Sequence, residues 1–419
     1  MKQYYDELET RDPAQREAAL LAALPVQIAH AQARSSAMAQ ALQGIEGAAV
    51  RTRADLAQLP VTRKQALFER QKAARSAGGD AFGGYSTLAY GPAMPRLFAS
   101  PGPIYEPEGR AADYWRMARA IFAAGFRAGE LIHNSFSYHF TPAGSMMESG
   151  AHAVGCSVFA AGVGQTEQQV AALQDLQPAG YIGTPSFLKI IVEKAVESGI
   201  TLPSVKKALV TGEACPPSLR EWFAARGIAA YQCYATADVG LIAYETAARE
   251  GLVLDEHVIL EIVRPGTGDP VPAGEVGEVV ITSLNPDYPL IRFGTGDLSA
   301  VLPGMCPTGR TNTRIRGWMG RADQTTKIRG MFVHPKQVDD IAKRFPEVLR
   351  ARLVVQGEMA NDVMTLKVEV QDTEAAQALK PHLAQAVRDV TKLRGDIELC
   401  ASGSLPNDGK VIEDARSYA

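Results

Sequence analysis

Short apolar runs alternate with stretches of helical apolar spacing through the middle of the chain. Apolar runs of about four to eight residues are typical of strands, whereas spacing of about 3.6 residues predicts helices. The predicted elements, in chain order, are a strand at 131–135, a helix at 145–152, a strand at 157–160, a helix at 167–175, a strand at 180–183, a helix at 186–198, a strand at 207–210, a helix at 217–225 and a strand at 229–234. This alternation predicts an α/β domain with a largely parallel sheet.

The segment before this domain has a different pattern. Its first 45 residues have the apolar spacing of a packed amphipathic helix pair, interrupted by Pro25. Glycine and proline crowd residues 90–105, which predicts a loop rather than regular structure. Helical spacing resumes at 114–126 and ends at a glycine.

After the α/β pattern, apolar runs separated by Pro-Gly turns indicate β-hairpins, with strands expected at 258–263, 278–282 and 297–301. They predict a β-rich subdomain at about residues 240–318. The basic, glycine-punctuated stretch 317–329 marks a domain boundary, so we predict a large N-terminal domain at 1–322 and a small α+β domain at 323–419. The elements predicted in the small domain are a helix at 335–345, strands at 351–355 and 363–370, a helix at 374–392 and a strand at 397–401.

Composition narrows the class of protein. The chain has 419 residues, of which 46% are hydrophobic and 21% charged, and 43 basic against 46 acidic side chains give a net charge of −3. This balance disfavours nucleic acid as a main partner. The most apolar stretch, 152–164, is shorter than the ~18 residues of a membrane-spanning helix, and the polar N-terminus does not look like a signal peptide. A cytoplasmic enzyme or binding protein is expected.

The cysteines do not indicate a disulfide framework. There are five, at 156, 215, 233, 306 and 400, and no two form a Cys-x-x-Cys pair. An odd, scattered set fits a reducing compartment, where free cysteines are mostly structural.

Two polar loops follow predicted neighbouring strands, at 211–214 and 234–238. Ligands of open α/β sheets bind outside the carboxyl ends of strands, so these loops are candidates to line one crevice. Tyr234 offers a flat face for a purine and Asp238 a carboxylate for a metal ion on phosphate, although a tyrosine before a turn is more often a core residue. P-loop, dinucleotide, zinc-protease and hydrolase-elbow signatures are absent from the sequence.

Two further polar positions lie in turns. Asp297, on a glycine-hinged turn, has a carboxylate that could accept both hydrogen bonds of a ribose diol, although aspartate after glycine is also common in hairpins. Lys410 ends a Pro-Asn-Asp-Gly-Lys turn, where a lysine alone is usually a solvated charge.

Taken together and in this order, the motifs of the chain resemble those of the adenylate-forming acyl-CoA ligases, most closely the phenylacetate-CoA ligase branch. The resemblance extends over nearly the whole chain. The motifs that carry it are Phe-Ser-Tyr-His-Phe-Thr at 136–141, Gly-Val-Gly-Gln-Thr-Glu at 162–167, Gly-Glu-Val-Gly-Glu at 274–278, Thr-Ser-Leu at 282–284, Pro-Leu-Ile-Arg at 289–292 leading to Asp297, Gly-Arg-Ala-Asp at 320–323 and Arg-Gly at 329–330 leading to Pro335.

The resemblance implies a small C-terminal domain that rotates between two half-reactions, with ATP, Mg²⁺ and CoA as cofactors. The roles it implies are adenine contact for Gly212, Glu213, Ala214 and Tyr234, further nucleotide contact for Ala235 and Thr236, Mg²⁺ ligation for Asp238, ribose contact for Asp297, ribose and phosphate contact for Arg321, a hinge at Asp323, CoA contact for Gly330, and a bridge from carboxylate to α-phosphate for Lys410. Attack of one anion on another needs a cation between them, and a lysine on a mobile domain can supply it and then leave.

The sequence departs from the family pattern at the phosphate loop. Where the family has Ser-Ser-Gly-Thr-Thr-Gly-Lys-Pro, this chain has Ala-Ser-Pro-Gly-Pro-Ile-Tyr at 99–105, without the threonines and the lysine. Its two prolines lack the N–H donors that a phosphate cradle uses. In the tyrosine loop, Ala237 replaces Ser or Thr and Asp238 replaces Glu. ATP handling is therefore the step most affected.

Many relatives also hold a structural zinc on cysteine and histidine ligands. Here Cys306 is kept, while the other positions align with Thr246 and Val253. One ligand cannot make a closed tetrahedral site, so no zinc is expected.

The resemblance thus implies an AMP-forming acid–thiol ligase that activates an aromatic, phenylacetate- or benzoate-like acid as acyl-AMP and transfers it to CoA. Phe136, Tyr138 and Phe140 would form an apolar slot for the ring, unless they are sheet core. The altered phosphate loop favours an alternative, a degenerate member that binds acyl-adenylate or acyl-CoA without efficient activation. The sequence leaves open the acid, the thiol acceptor and the oligomeric state, with a homodimer as one option.

Overall fold

The computed structural model describes residues 3–322, 324, 326–357, 362–406 and 411–416. The chain divides into two compact units, Met1–Gly320 and Arg321–Ala419. This division lies two residues before the predicted boundary. No helix among the described residues is long and apolar enough to cross a membrane.

The first unit begins with helices. Helix Pro13–Arg34 starts at Asp12, whose carboxylate accepts hydrogen bonds from the N–H groups of the first turn. The predicted interruption at Pro25 is wrong, because the helix runs through it. Leu24 and Ile28 on either side are fully buried, and this burial offsets the hydrogen bond that the proline removes. The other helical segments before residue 80 are Glu7–Thr10, Ser36–Ala41, Gly47–Ala49, Arg53–Ala57 and Lys64–Ser76.

The predicted loop at 90–105 is also wrong in part, because two antiparallel strands, Arg96–Ser100 and Ile104–Glu108, form a hairpin there. Pro107 lies opposite Leu97 in this hairpin. Proline has no backbone N–H to donate, and it is tolerated here because each strand of a two-stranded ribbon is an edge strand. The glycine and prolines make the turn of this hairpin, at 101–103.

A mixed nine-stranded sheet forms the centre of the first unit. Five of its strands are parallel neighbours, in the spatial order Ser157–Ala160, Leu131–Asn134, Gly180–Gly183, Lys207–Val210 and Ala229–Thr236. The sheet continues antiparallel through Gly240–Glu245, Leu252–Leu254, Arg314–Ile315 and Val301–Leu302. The helices of this part are Ala118–Ala123, Ala143–Val154, Thr166–Leu176, Pro185–Glu197 and Pro217–Ala224. The predicted α/β class is confirmed.

The helix expected at 114–126 is shorter than its apolar spacing suggests. Asp113 and Arg116 adopt positive φ angles of 53° and 63°, which are incompatible with a right-handed helix. Only Ala118–Ala123 is helical.

A second sheet of the first unit has four strands in the order Thr62–Arg63, Phe293–Ser299, Gly277–Ser283 and Val258–Val263. The last three are almost entirely buried. They lie in the range 240–318 where a β-rich part was expected, but the other strands of that range belong to the nine-stranded sheet. The strand predicted at 297–301 is found at Phe293–Ser299.

The second unit is an α+β module with its own core. Its four-stranded sheet has the order Asp396–Ala401, Val363–Val370, Arg350–Gln356 and Ile412–Asp414. The other elements are the strands Thr326–Ile328 and Met331–Val333, the helices Pro335–Ala342 and Lys380–Thr391, and the 3-10 turn Ala375–Leu379. Aliphatic side chains from the sheet and both helices form one buried cluster.

Candidate functional site

The two predicted ligand loops do lie side by side. Strands Lys207–Val210 and Ala229–Thr236 are parallel neighbours, with Val210 opposite Gln232. The Thr211 hydroxyl donates to the Cys233 carbonyl oxygen at 2.7 Å, which ties the start of one loop to the other strand. Gly212 and Glu213 are exposed, and Ala214 is partly exposed, at this edge of the sheet. The sheet therefore presents an accessible loop beside Tyr234.

Tyr234 and Asp297 meet although they are 63 residues apart. The tyrosine hydroxyl donates to Asp297 Oδ2 at 2.8 Å, and both side chains are at most 9% exposed. Trp318 Nε1 donates to Asp297 Oδ1 at 3.1 Å. These two donors orient the carboxylate, a group whose oxygens can accept hydrogen bonds from a diol.

Thr295 fixes this arrangement from the same strand. Its hydroxyl donates to the Val279 carbonyl oxygen at 3.0 Å and accepts from the Asp297 N–H at 3.1 Å. Sequence reasoning missed both Thr295 and Trp318. Trp318 is 41% exposed beside the buried carboxylate, and neither its exposure nor this contact is visible in the sequence.

Ala235 and Thr236 end the strand that leads into the turn of Asp238. Both residues pair with the next strand, opposite Leu241 and Gly240, across a register shift. The Thr236 hydroxyl accepts from the Val239 N–H at 3.1 Å, and this bond closes the turn. The turn thus holds the Asp238 carboxylate in place.

Asp238 has a fully buried side chain with the Lys64 ammonium beside it. Lys64 Nζ lies 2.5 Å from Asp238 Oδ2. Within the described part of the chain, Asp238 Oδ1 has no hydrogen-bond partner. A buried carboxylate oxygen without a partner fits the oxygen ligand that Mg²⁺ requires.

Glu106 is a second buried carboxyl at this place. Its two oxygens accept from the N–H and the hydroxyl of Ser100, the N–H at 3.2 Å. Burial, and then the negative charge of Asp238, raise the pKa of Glu106 to about 8, while Ser100 and Lys64 oppose the rise. Glu106 is therefore largely protonated at neutral pH.

The three predicted acyl-pocket aromatics lie in different environments. Phe136 is 7% exposed and belongs to a core cluster, whereas Phe140 is 80% exposed. Tyr138 is half-buried, and its hydroxyl accepts from Asn134 Nδ2 and donates to Glu148 Oε2, both at 2.8 Å. Phe136 is therefore a core residue, which is the alternative to a pocket residue that the sequence left open.

Arg321 and Gly330 are in the second unit. Gly330 follows Arg329 in the two-residue turn between strands Thr326–Ile328 and Met331–Val333. Both turn residues have positive φ, 47° and 83°, as a tight hairpin requires. Arg321 is partly buried. Asp323, the predicted hinge, and Lys410, the predicted catalytic lysine, lie outside the described residues.

Cys306, the cysteine kept from the ligand set that the resemblance implies, lies beside hydroxyl groups. Cys306 Sγ is 3.2 Å from the Thr246 hydroxyl and 3.1 Å from that of Thr308. Val253 is a buried strand residue. Among the described residues, no group of three or more His, Cys, Asp or Glu side chains could hold a metal ion.

Comparisons with protein families match both parts of the chain. Residues 115–285 match the AMP-binding enzyme family, and residues 330–414 match the AMP-binding enzyme C-terminal domain. Nothing in these matches names a substrate acid.

Curated relatives are phenylacetate-coenzyme A ligases. The protein from Thermus thermophilus is 32% identical over 61% of this chain, and the match spans 60% of that relative's length. The protein from Aromatoleum evansii is 30% identical over 69% of each chain. The protein from Escherichia coli is 28% identical over 71% of this chain and 72% of its own.

Solved structures show the same fold. A 2-hydroxyisobutyryl-CoA ligase in complex with 2-HIB-AMP and CoA superimposes with a TM-score of 0.83 at 24% identity, covering 100% of this chain and 93% of the other. The amide bond synthetase McbA from Marinactinospora thermotolerans gives 0.52 at 19% identity, covering 75% and 66%.

Proposed function

Since the chain belongs to the AMP-binding enzyme family, in its phenylacetate-CoA ligase branch, we propose that it is an AMP-forming acyl-CoA ligase. In the first half-reaction a carboxylate oxygen of the acid bonds to the α-phosphorus of ATP, and pyrophosphate leaves. In the second, the CoA sulfur bonds to the acyl carbon, and AMP leaves.

One observation carries this proposal most directly: the hydrogen-bonded set of Tyr234, Asp297 and Trp318. It combines a fixed aromatic ring with an oriented carboxylate beside an exposed loop, at the carboxyl ends of parallel strands. These are the groups that an adenine ring and a ribose diol need. In this reading, the residues of the 212–214 loop contact adenine and Asp297 accepts from the ribose hydroxyls.

The phosphates would lie towards the turn that contains Asp238. Its unpartnered oxygen suits Mg²⁺, which when bound would neutralise phosphate charge. Arg321 and Lys410 are proposed to add positive charge from the second unit, and Lys410 to bridge the attacking carboxylate and the α-phosphate. Asp323 is proposed as the hinge, and Gly330 as a CoA contact.

For the acid we propose an aromatic or similarly flat carboxylic acid. Its support is the 136–141 loop and the branch to which the chain belongs. The Tyr138 hydroxyl, held between Asn134 and Glu148, would add a polar group at the side of such a pocket.

The hairpin turn at 101–103 favours a second candidate, a protein that binds acyl-adenylate or acyl-CoA but activates acids poorly. Pro101 and Pro103 have no N–H, and the donors of Ser100 are directed to Glu106. Fewer donors for the β- and γ-phosphates would weaken ATP more than AMP.

A panel of carboxylic acids assayed for pyrophosphate release, with and without CoA, tests the ligase proposal. We expect release with at least one aromatic acid, and acyl-CoA when CoA is present. Calorimetric titration with AMP, ATP and a non-hydrolysable acyl-adenylate mimic separates the two candidates. Adenylate binding without pyrophosphate release from any acid would favour the non-activating protein.

The substitution Asp297→Asn tests whether the set of Tyr234, Asp297 and Trp318 binds the nucleotide. We expect AMP affinity to fall by about 10- to 100-fold, because an amide cannot accept a ribose diol as a carboxylate does. Asp269→Asn, on an exposed turn of the same unit, serves as the control. An unchanged AMP affinity in Asp297→Asn would remove the assigned ribose contact.

A further inference from the structure

Lys64 brings a positive charge to the phosphate end of the proposed nucleotide site. It is the first residue of helix Lys64–Ser76, and its ammonium lies 2.5 Å from Asp238 Oδ2, 174 residues away in sequence. The Lys64 side chain is 33% exposed, whereas that of Asp238 is fully buried. Of this ion pair, Lys64 is therefore the member that faces solvent.

The same helix holds the hairpin that replaces the family's phosphate loop. Gln71 accepts from the Tyr105 N–H at 2.8 Å and donates to the Tyr105 carbonyl oxygen at 2.9 Å. Phe68 is close enough that a Cβ on Gly102 would lie 3.4 Å from its ring. Lys64 and the hairpin turn thus belong to one packed group.

The hairpin turn itself offers few donors for phosphate. Pro101 and Pro103 have no N–H, and the N–H and hydroxyl of Ser100 are both bonded to Glu106. Glu106 is fully buried and close enough to Lys64 and Asp238 for their charges to affect its ionisation. The cluster of Lys64, Glu106 and Asp238 therefore has its exposed positive charge at Lys64.

We propose that Lys64 contacts the β- or γ-phosphate of the nucleotide and so takes the place of the missing phosphate-loop lysine and threonines. The proposal rests on the ligase function above. The ammonium of a lysine has three donors, so one group can pair with Asp238 and also bind a phosphate oxygen. The unpartnered Asp238 Oδ1 is a second sign that the site receives a cationic or donor ligand along with the phosphates.

Selectivity between ATP and AMP is the decisive measurement, because AMP lacks the phosphates that Lys64 would contact. In Lys64→Met we expect ATP affinity to fall by about 10- to 100-fold and AMP affinity to stay within about twofold. Inorganic pyrophosphate should inhibit the variant less than the native protein by a similar factor. Lys64→Arg keeps the charge and should keep most of the ATP affinity.

Lys72→Met is the matched control, since Lys72 is exposed on the same helix. It should leave both affinities unchanged. Should Lys64→Met fold poorly, Lys64→Gln keeps a donor for Asp238 while removing the charge, and the same ATP-selective loss is expected.

Two results would overturn the inference: equal losses of ATP and AMP, which indicate a structural ion pair, or unchanged affinity for both. Neither result would contradict the ligase proposal, provided that the native protein still releases pyrophosphate. Failure of the native protein to bind any adenylate would instead contradict the ligase proposal itself.

Discussion

Asp113 shows what partial burial does to a carboxyl group in this chain. One of its oxygens accepts from the Ala118 N–H at 3.1 Å, while the other is buried without a partner among the described residues. Burial is the main reason that the pKa of Asp113 rises to about 7. At its φ of 53°, asparagine is tolerated as well as aspartate.

We expect Asp113→Asn to stabilise the protein at alkaline pH. The folded pKa lies above the unfolded value of 3.8, so the native aspartate favours folding below pH 4 and loses this contribution as the pH rises through about 7. The neutral amide has no such loss, so above pH 7 the variant should be more stable by about 1–3 kcal/mol. Urea unfolding at pH 5 and pH 8 measures the change, with exposed Asp175→Asn as control. A difference that does not grow with pH would contradict the explanation.

Lys410 carries the proposed chemistry of the first half-reaction. Lys410→Ala should slow acyl-adenylate formation by about 100-fold or more, because the cation between two reacting anions is removed. Thioester formation from pre-made acyl-adenylate should change far less. Exposed Lys336→Ala in the same unit is the control. Equal losses in both half-reactions would remove the assigned role.

Sequence reasoning identified some site residues and overlooked others for physical reasons. Tyr234 stands just before a recognisable turn, and the structure brings its hydroxyl to 2.8 Å from the Asp297 carboxylate. Asp297 itself lies in strand Phe293–Ser299, not in the turn that its flanking glycines suggest. Lys64 gave no signal, because a lysine on an amphipathic helix is normally solvated and its partner Asp238 is 174 residues away. Glu106 comes directly after the stretch 90–105 that was interpreted as a loop, and no strand was predicted there, so its burial could not be foreseen.

Helix Ala143–Val154 packs against Ala118–Ala123 through a glycine. A Cβ on Gly150 would lie 2.6 Å from Met117 Cβ and 2.9 Å from the Ala118 backbone nitrogen. Because one of these neighbours is backbone, a side-chain rotation cannot relieve the overlap.

Gly150→Ala should therefore destabilise the first unit. Overpacking lowers the free energy of unfolding by about 1–3 kcal/mol, whereas the higher helix propensity of alanine raises it by less than about 1 kcal/mol. The net effect should appear as a lower Tm in thermal unfolding. Exposed His152→Ala in the same helix should leave the Tm nearly unchanged. A rise in Tm for Gly150→Ala would show that the two helices can move apart without loss.

Strands of the parallel sheet were the most predictable elements. Ser157–Ala160, Gly180–Gly183 and Lys207–Val210 have the bounds that their short runs and flanking turns indicate. The hairpin at 96–108 and the helix through Pro25 were mispredicted, because glycine and proline residues usually mark the end of a helix or strand. In both places, contacts distant in sequence outweigh the local preference.

The two units have separate hydrophobic clusters, and apart from Arg321 the described residues of the proposed adenosine contact lie in the first. A chain that ends at Gly320 should therefore fold and bind AMP with an affinity within about tenfold of the full chain, allowing for the loss of Arg321. It should release no pyrophosphate, because it lacks Lys410. Calorimetry and a pyrophosphate assay check both parts. Complete loss of AMP binding in a folded 1–320 chain would place essential adenosine contacts in the second unit.

The distribution of thiols has a practical consequence for testing the proposed hinge. The four cysteines of the first unit are buried, whereas Cys400, in a strand of the second unit, is partly exposed. Burial raises the pKa of the Cys215 and Cys233 thiols to about 12, which leaves almost no reactive thiolate there at neutral pH. A maleimide dye added briefly should thus attach first at Cys400. The native chain already contains a selective attachment point for a fluorophore with which the proposed hinge at Asp323 can be tested.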